Sequence, residues 1–155
     1  MADEKVEENM VPYSSKADTL EHIRLVNTFL IEFATEILRR AKTHDQSKLE
    51  EPELGAFDRE TPKLKGLAYG SQEYKNSLAR LGPALRHHYE SNRHHPEFWP
   101  LGVNDMNLED LVEMFCDWKA ATQRAKDGNI HKSIEINQKR FGLSNQLTQI
   151  LRNSI

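Results

Sequence analysis

The sequence predicts an all-α protein: a single compact domain of about five to seven helices. Two long stretches carry apolar residues at three- and four-residue spacing, Pro and Gly separate the helical segments, and no alternation is long enough to build a sheet. At 155 residues the chain is the size of one ordinary domain. A domain of that length buries roughly two-thirds of the surface its unfolded chain exposes, so one core suffices.

Residues 1–15 are polar and acidic and predict a flexible N-terminal arm, with the domain spanning 16–155. From Ala17 to about Lys42, Ile23, Val26, Phe29, Leu30, Phe33, Ile37 and Leu38 recur at helical spacing opposite Glu32, Glu36 and Arg39. His22 falls one turn before Val26, at the margin of the expected buried face. Pro52, Gly55, Pro62, Gly66 and Gly70 predict short helices and turns between Ser47 and Tyr74. A helix follows from Gln72 to Asn92, kinked at Gly82-Pro83, with Leu78, Leu81, Leu85, His88 and Asn92 in one stripe. Pro96 and Pro100 turn the next segment into a loop. Asn107 reads as an N-cap, with Glu109 and Asp110 complementing the helix dipole and Gly128 as the stop. This helix buries Leu111, Met114, Phe115 and Trp118 and sets Asp117 on the border of that face. Two short helices parted near Gly142, the second capped by Ser144, complete the chain.

A formal charge of -3 gives no general attraction to a nucleic acid polymer or to an anionic membrane. No apolar run approaches the ~20 residues of a membrane span. The acidic start differs from the basic, then apolar, pattern of a secretory signal, so a cytoplasmic protein is expected. The lone Cys116 excludes an internal disulfide and is expected to be a small buried residue rather than a nucleophile.

The chemistry is concentrated in an ordered series of metal-type ligands: His22, the doublet His44-Asp45, the His-rich stretch His87 to His95, and Asp117. Imidazoles and carboxylates converging at roughly 2 Å suit a divalent transition metal, Mn, Fe, Co, Ni or Zn. Each piece also has a plainer reading. A lone His is usually a surface or hydrogen-bonded residue, and Asp45 suits a helix cap. The polar pair His88 and Asn92, continuing an apolar stripe, needs partners. The stretch around it fits three roles: ligands of a second ion (His88 with His94 or His95), a phosphate pocket of His88, Asn92, Arg93 and His94, or core hydrogen bonds. His87 is the poorer ligand candidate, about 100° around the helix from His88.

EHIRLV around His22, HDQSK at His44-Asp45 and CDWKAA at Asp117 together resemble the HD-domain superfamily of metal-dependent phosphohydrolases. The likeness spans roughly residues 20–125. HDQSKLEEPE is similar to the cyclic-dinucleotide branch, with Ser47 at the usual Gly, but that branch's GYP motif is missing. RHHYESNRHHPEFWP instead resembles a family of uncharacterised bacterial and phage proteins. The resemblance implies an HD-like helical domain and an enzyme that hydrolyses a nucleotide or related small phosphoester with metal-activated water. His22, His44, Asp45 and Asp117 would hold one ion, and His88 and His95 would add a second.

In that scheme Lys48 offsets charge on the phosphoryl oxygens, Glu53 or His94 transfers the proton, and Arg86, Asn92 and Arg93 hold the substrate. Glu53 is the weaker proton carrier, because the acidic run Glu50, Glu51, Glu53 suggests a solvated face. Trp99 and Tyr69 are candidates to stack on a base or to pack. Two other classes stay open: a dinuclear-iron oxygenase of the HD type, and a non-catalytic module that binds a nucleotide or partner. The expected partner is a small phosphorylated metabolite, and a homodimer is left open.

Overall fold

The apolar periodicity is realised as helices throughout a computed structural model that describes residues 13–68, 70–125 and 127–155. Among the described residues there are six α-helices and no strands. These are α1 (Lys16–Thr43), α2 (Leu54–Leu64), α3 (Gln72–Ser91), α4 (Leu108–Arg124), α5 (Ile130–Phe141) and α6 (Asn145–Asn153). Short 3-10 turns at Gln46–Leu49, Pro96–Phe98 and Gly102–Asp105 fill the longer connections. No helix is long and apolar enough to cross a membrane. Most of the expected N-terminal arm, residues 1–12, lies outside the described residues, as does Tyr69.

The helix boundaries follow from local chemistry. Ser71 accepts from the Tyr74 backbone N–H and starts α3. Within α3, Gly82 leaves helical geometry at φ 42°, because Pro83 disfavours the α region for the residue before it and glycine tolerates the alternative. α4 opens with a full capping box: Asn107 accepts from Asp110 N, and the Asp110 carboxylate accepts from Asn107 N. Gly142 closes α5 in the left-handed conformation, and Ser144 caps α6. α2 absorbs Gly55 and Pro62, where the sequence suggests several shorter pieces.

Contacts group the chain into two units, 1–35 and 36–155. In the first unit the expected buried stripe is exposed: Val26 retains 41% and Phe29 62% of its surface, and His22 is exposed with them. The described part of this unit is essentially one helix, and one helix has no apolar surface of its own to pack against.

The second unit holds two apolar clusters. Met114, Phe115 and Trp118 of α4 pack with Ile134 of α5, with Leu143 in the turn after it and with Leu151 of α6, whereas Ala56 of α2 packs with Leu81 and Ala84 of α3. Full burial of a side chain such as Leu81, Met114 or Ile134 contributes about 2 kcal/mol. α3 and α4 therefore belong to different clusters, and each carries buried polar residues beside its apolar ones: His88 on α3, Asp110 on α4.

Candidate metal centre

The end of α1, the following turn, α3, the loop after it and α4 supply the polar residues of one cluster. His44 and Asp45 leave the C-terminus of α1. Asp45 takes the left-handed conformation at φ 55°, which Asp tolerates better than most residues and which reverses the chain into the Gln46–Leu49 turn. His88 comes from the last turn of α3, His94 and His95 from the loop that Pro96 forces out of helical geometry, and Glu113 and Asp117 from one face of α4.

Three imidazole nitrogens converge on Asp45, those of His88, His94 and His95. Its Oδ1 lies 3.4 Å from His88 Nε2 and 3.4 Å from His94 Nε2, and His88 Nε2 is 2.8 Å from His95 Nε2. With metal–ligand bonds of about 2.1 Å, neighbouring ligand atoms stand about 3.0 Å apart in an octahedron and about 3.4 Å apart in a tetrahedron. The two 3.4 Å separations match the tetrahedral edge, and the 2.8 Å one is slightly shorter than the octahedral edge. Asp45 Oδ1 and His94 Nε2 are also buried without any hydrogen-bond partner. Such groups are costly in a protein interior and call for a partner between them. On the other side of Asp45, His44 Nε2 lies 3.5 Å from Oδ2 and 3.8 Å from Asp117 Oδ1.

Two carboxylates aim the imidazoles. Glu113 Oε1 accepts from Nδ1 of both His44 (3.0 Å) and His94 (3.2 Å), leaving each Nε2 lone pair directed at Asp45. Glu53, 0% exposed, accepts from His88 Nδ1 at 2.9 Å and from His87 Nδ1 at 2.8 Å. The acidic run therefore does not lie wholly on a solvated face: Glu53 turns inward and bonds two imidazoles, His88 in the interior and the partly exposed His87. Arg40, buried near the end of α1, holds Glu113 Oε2 at 3.3 Å and Asp110 Oδ1 at 2.6 Å, pinning α1 to α4 beside the cluster.

Electrostatics favour the neutral ring at His95 and His88. Burial pushes His95 down to about 2, assisted by His94 and His88, and burial also lowers His88. Both are neutral near pH 7. His44 is raised by its hydrogen bond to Glu113. Burial would raise the Asp45 and Glu113 carboxyls, but Lys48 outweighs it at Asp45, and the His44 and His94 hydrogen bonds outweigh it at Glu113, so both lie below the usual carboxylate range.

Of the residues read from the sequence, His44, Asp45, His88, His94, His95 and Asp117 meet in space, whereas His22 belongs to the first unit and to none of these groups. Lys48 donates to Asp45 Oδ2 at 2.6 Å. Asn92 donates to Ser47 Oγ and to the His88 carbonyl, tying the turn after α1 to the end of α3. Arg93, expected at the substrate, instead bonds the buried Asp110 and lies 4.4 Å from the Trp99 ring centroid; Trp99 itself donates to the Arg93 carbonyl. Arg86 is exposed on α3, and Cys116, expected to be buried, is exposed. The orienting role of Glu113 was missed. Its signal was the acidic row Asp110, Glu113, Asp117, three and four residues apart on a helix that otherwise buries apolar side chains.

Cavities of about 500 Å³ and about 610 Å³ are both lined by His95 and Asp117, so the cluster forms part of the wall of each. Lys132 and Arg140 line the first, and Lys48, Lys65 and Arg124 the second.

A family model matches residues 12–155. The chain belongs to DUF5662, a family of unknown function. No curated protein and no solved structure matches it.

Proposed function

We propose that this DUF5662 protein is a metal-dependent phosphohydrolase acting on a nucleotide or related small phosphoester. The observation that carries the reading is the buried pair Asp45 Oδ1 and His94 Nε2, 3.4 Å apart and without partners, with His88 and His95 converging beside them. Three imidazoles and a carboxylate form a mixed nitrogen and oxygen set suited to Zn, Fe, Co, Ni or Mn. A bound divalent ion supplies Lewis acidity and a water whose pKa falls toward neutrality.

The chain's own residues provide the rest. Glu113 and Glu53 fix ring orientation and leave Nε2 of His44, His94 and His88 as the ligating atom. Asp117 and His44 reach the partly exposed side of the cluster, where a carboxylate can accept a proton from an attacking water. The basic residues Lys48, Lys65 and Arg124 in the wall of the second cavity favour an anionic substrate, and the cavity volumes fall within the range that encloses a nucleotide-sized molecule. The His-Asp doublet and distant Asp117 are the parts of the HD pattern retained in this cluster; the first-helix His is not among them.

Metal content measured after purification without chelator, together with phosphate release from a panel of nucleotides and sugar phosphates, tests the reading. The wild-type chain is expected to retain a stoichiometric transition metal and to turn over at least one substrate class, with both properties lost in His94→Ala and Asp45→Ala. A folded wild-type protein that binds no transition metal overturns it.

A further inference from the structure

We propose that the Lys48 ammonium is a built-in occupant of a second cation position, so that the wild-type centre takes one divalent ion and takes two only when that charge is removed. The inference rests on the metal centre proposed above and concerns how many ions it accepts.

The two oxygens of Asp45 face different surroundings. Oδ1 is buried without a partner among three imidazoles. Oδ2 receives Lys48 Nζ at 2.6 Å and stands 3.5 Å from His44 Nε2, which in turn lies 3.8 Å from Asp117 Oδ1. His44, Asp45 and Asp117 bring ligand atoms within 4.8 Å of one another, and an imidazole with two carboxylates is a set that holds a divalent ion. Asp45 is thus shared by two groups of candidate ligands, and only one of its oxygens is already neutralised.

The neutralising group is held in place. Lys48 stands three residues after Asp45 in the Gln46–Leu49 turn, where its backbone N–H donates to the Asp45 carbonyl at 3.0 Å. Its ammonium lies 5.2 Å from the Phe57 ring centroid, within range of a cation–π contact. A divalent ion on Oδ2 would share that oxygen with the ammonium. Because Asp45 is largely buried, their repulsion would be poorly screened. The Oδ1 position carries no such competitor, so it fills first. When the second position is vacated by charge removal, the same carboxylate is free to bridge.

Titration of the full chain with cobalt(II) alone, read as bound metal per chain and as the visible absorption of the complex, tests the proposal. Wild type is expected to saturate at one ion. Lys48→Met is expected to take a second ion in the same concentration range, with a new absorption component. Lys48→Arg, which keeps the charge, is expected to stay at one, and Lys48→Met combined with Asp117→Asn is expected to return to one. Circular dichroism establishes that each variant is folded. Two ions bound by wild type in a single phase, or one ion bound by Lys48→Met, overturns the role of Lys48 and leaves the metal centre standing. No ion bound by any folded variant overturns both.

Discussion

At the scale of single residues, the candidate centre is organised by carboxylates that need not touch a metal ion. Glu113 presents one oxygen to two histidines and the other to Arg40, so its loss would free two imidazole rings at once. Glu113→Gln is expected to lower metal affinity by about 10- to 100-fold while leaving the helical content intact, because the amide cannot accept from both rings with the strength of a carboxylate. Isothermal titration with zinc or cobalt checks this, and unchanged affinity would assign Glu113 a purely architectural role. The candidates His44, Asp45, His88, His94, His95 and Asp117 were legible in sequence because few residue types ligate metals. Glu113 was not, since a glutamate on a helix is ordinarily a solvated residue, and only the packing of α4 against the end of α1 brings it to the rings.

At the scale of elements, buried or half-buried ion pairs fasten the helices that carry the ligands. Glu60 of α2 receives Lys63 from its own helix and Arg80 and Ser77 from α3, which adjoins the cluster through His88. Hydrogen bonding from Lys63, then from Arg80 and Ser77, holds its carboxyl at about 2, against a usual 4.5. A depressed folded-state pKa makes the contribution fully present above about 4.5 and lost as the pH falls toward about 2. Denaturation of Glu60→Gln across that window is expected to show lower stability near neutrality and a flatter profile below pH 4.5 than wild type. A wild-type slope retained by the variant would show that the α2–α3 ion pairs contribute nothing. The elements themselves were readable: the Gly82-Pro83 kink, the Asn107 and Ser144 caps and the Gly142 stop all follow from local rules that act within a few residues. The burial of α1's first turns was misread, because a period of 3.6 shows that a helix has an apolar face without showing what covers it.

At the scale of the whole molecule, the candidate ligands come from the turn after α1, the end of α3, the following loop and α4, so a bound ion would tie these segments together only when they are folded. Chelation of the metal-loaded protein is therefore expected to lower its thermal midpoint. At an ion concentration a thousand times its dissociation constant the linkage is about 4 kcal/mol, and calorimetry with and without chelator measures it. Equal midpoints in a protein shown to bind metal would mean that the centre binds folded and unfolded chains alike. By itself, the sequence determined the helical class, most helix ends and the residue types available for a metal, because periodicity, caps and ligand chemistry are properties of short stretches. Only the tertiary structure decided that Arg93 bonds Asp110, that Glu53 and Glu113 orient the rings, and that Asp45 offers one bare oxygen and one occupied by Lys48. Those outcomes depend on which side chains distant in sequence arrive within about 3 Å of each other, a distance set by the packing of whole helices.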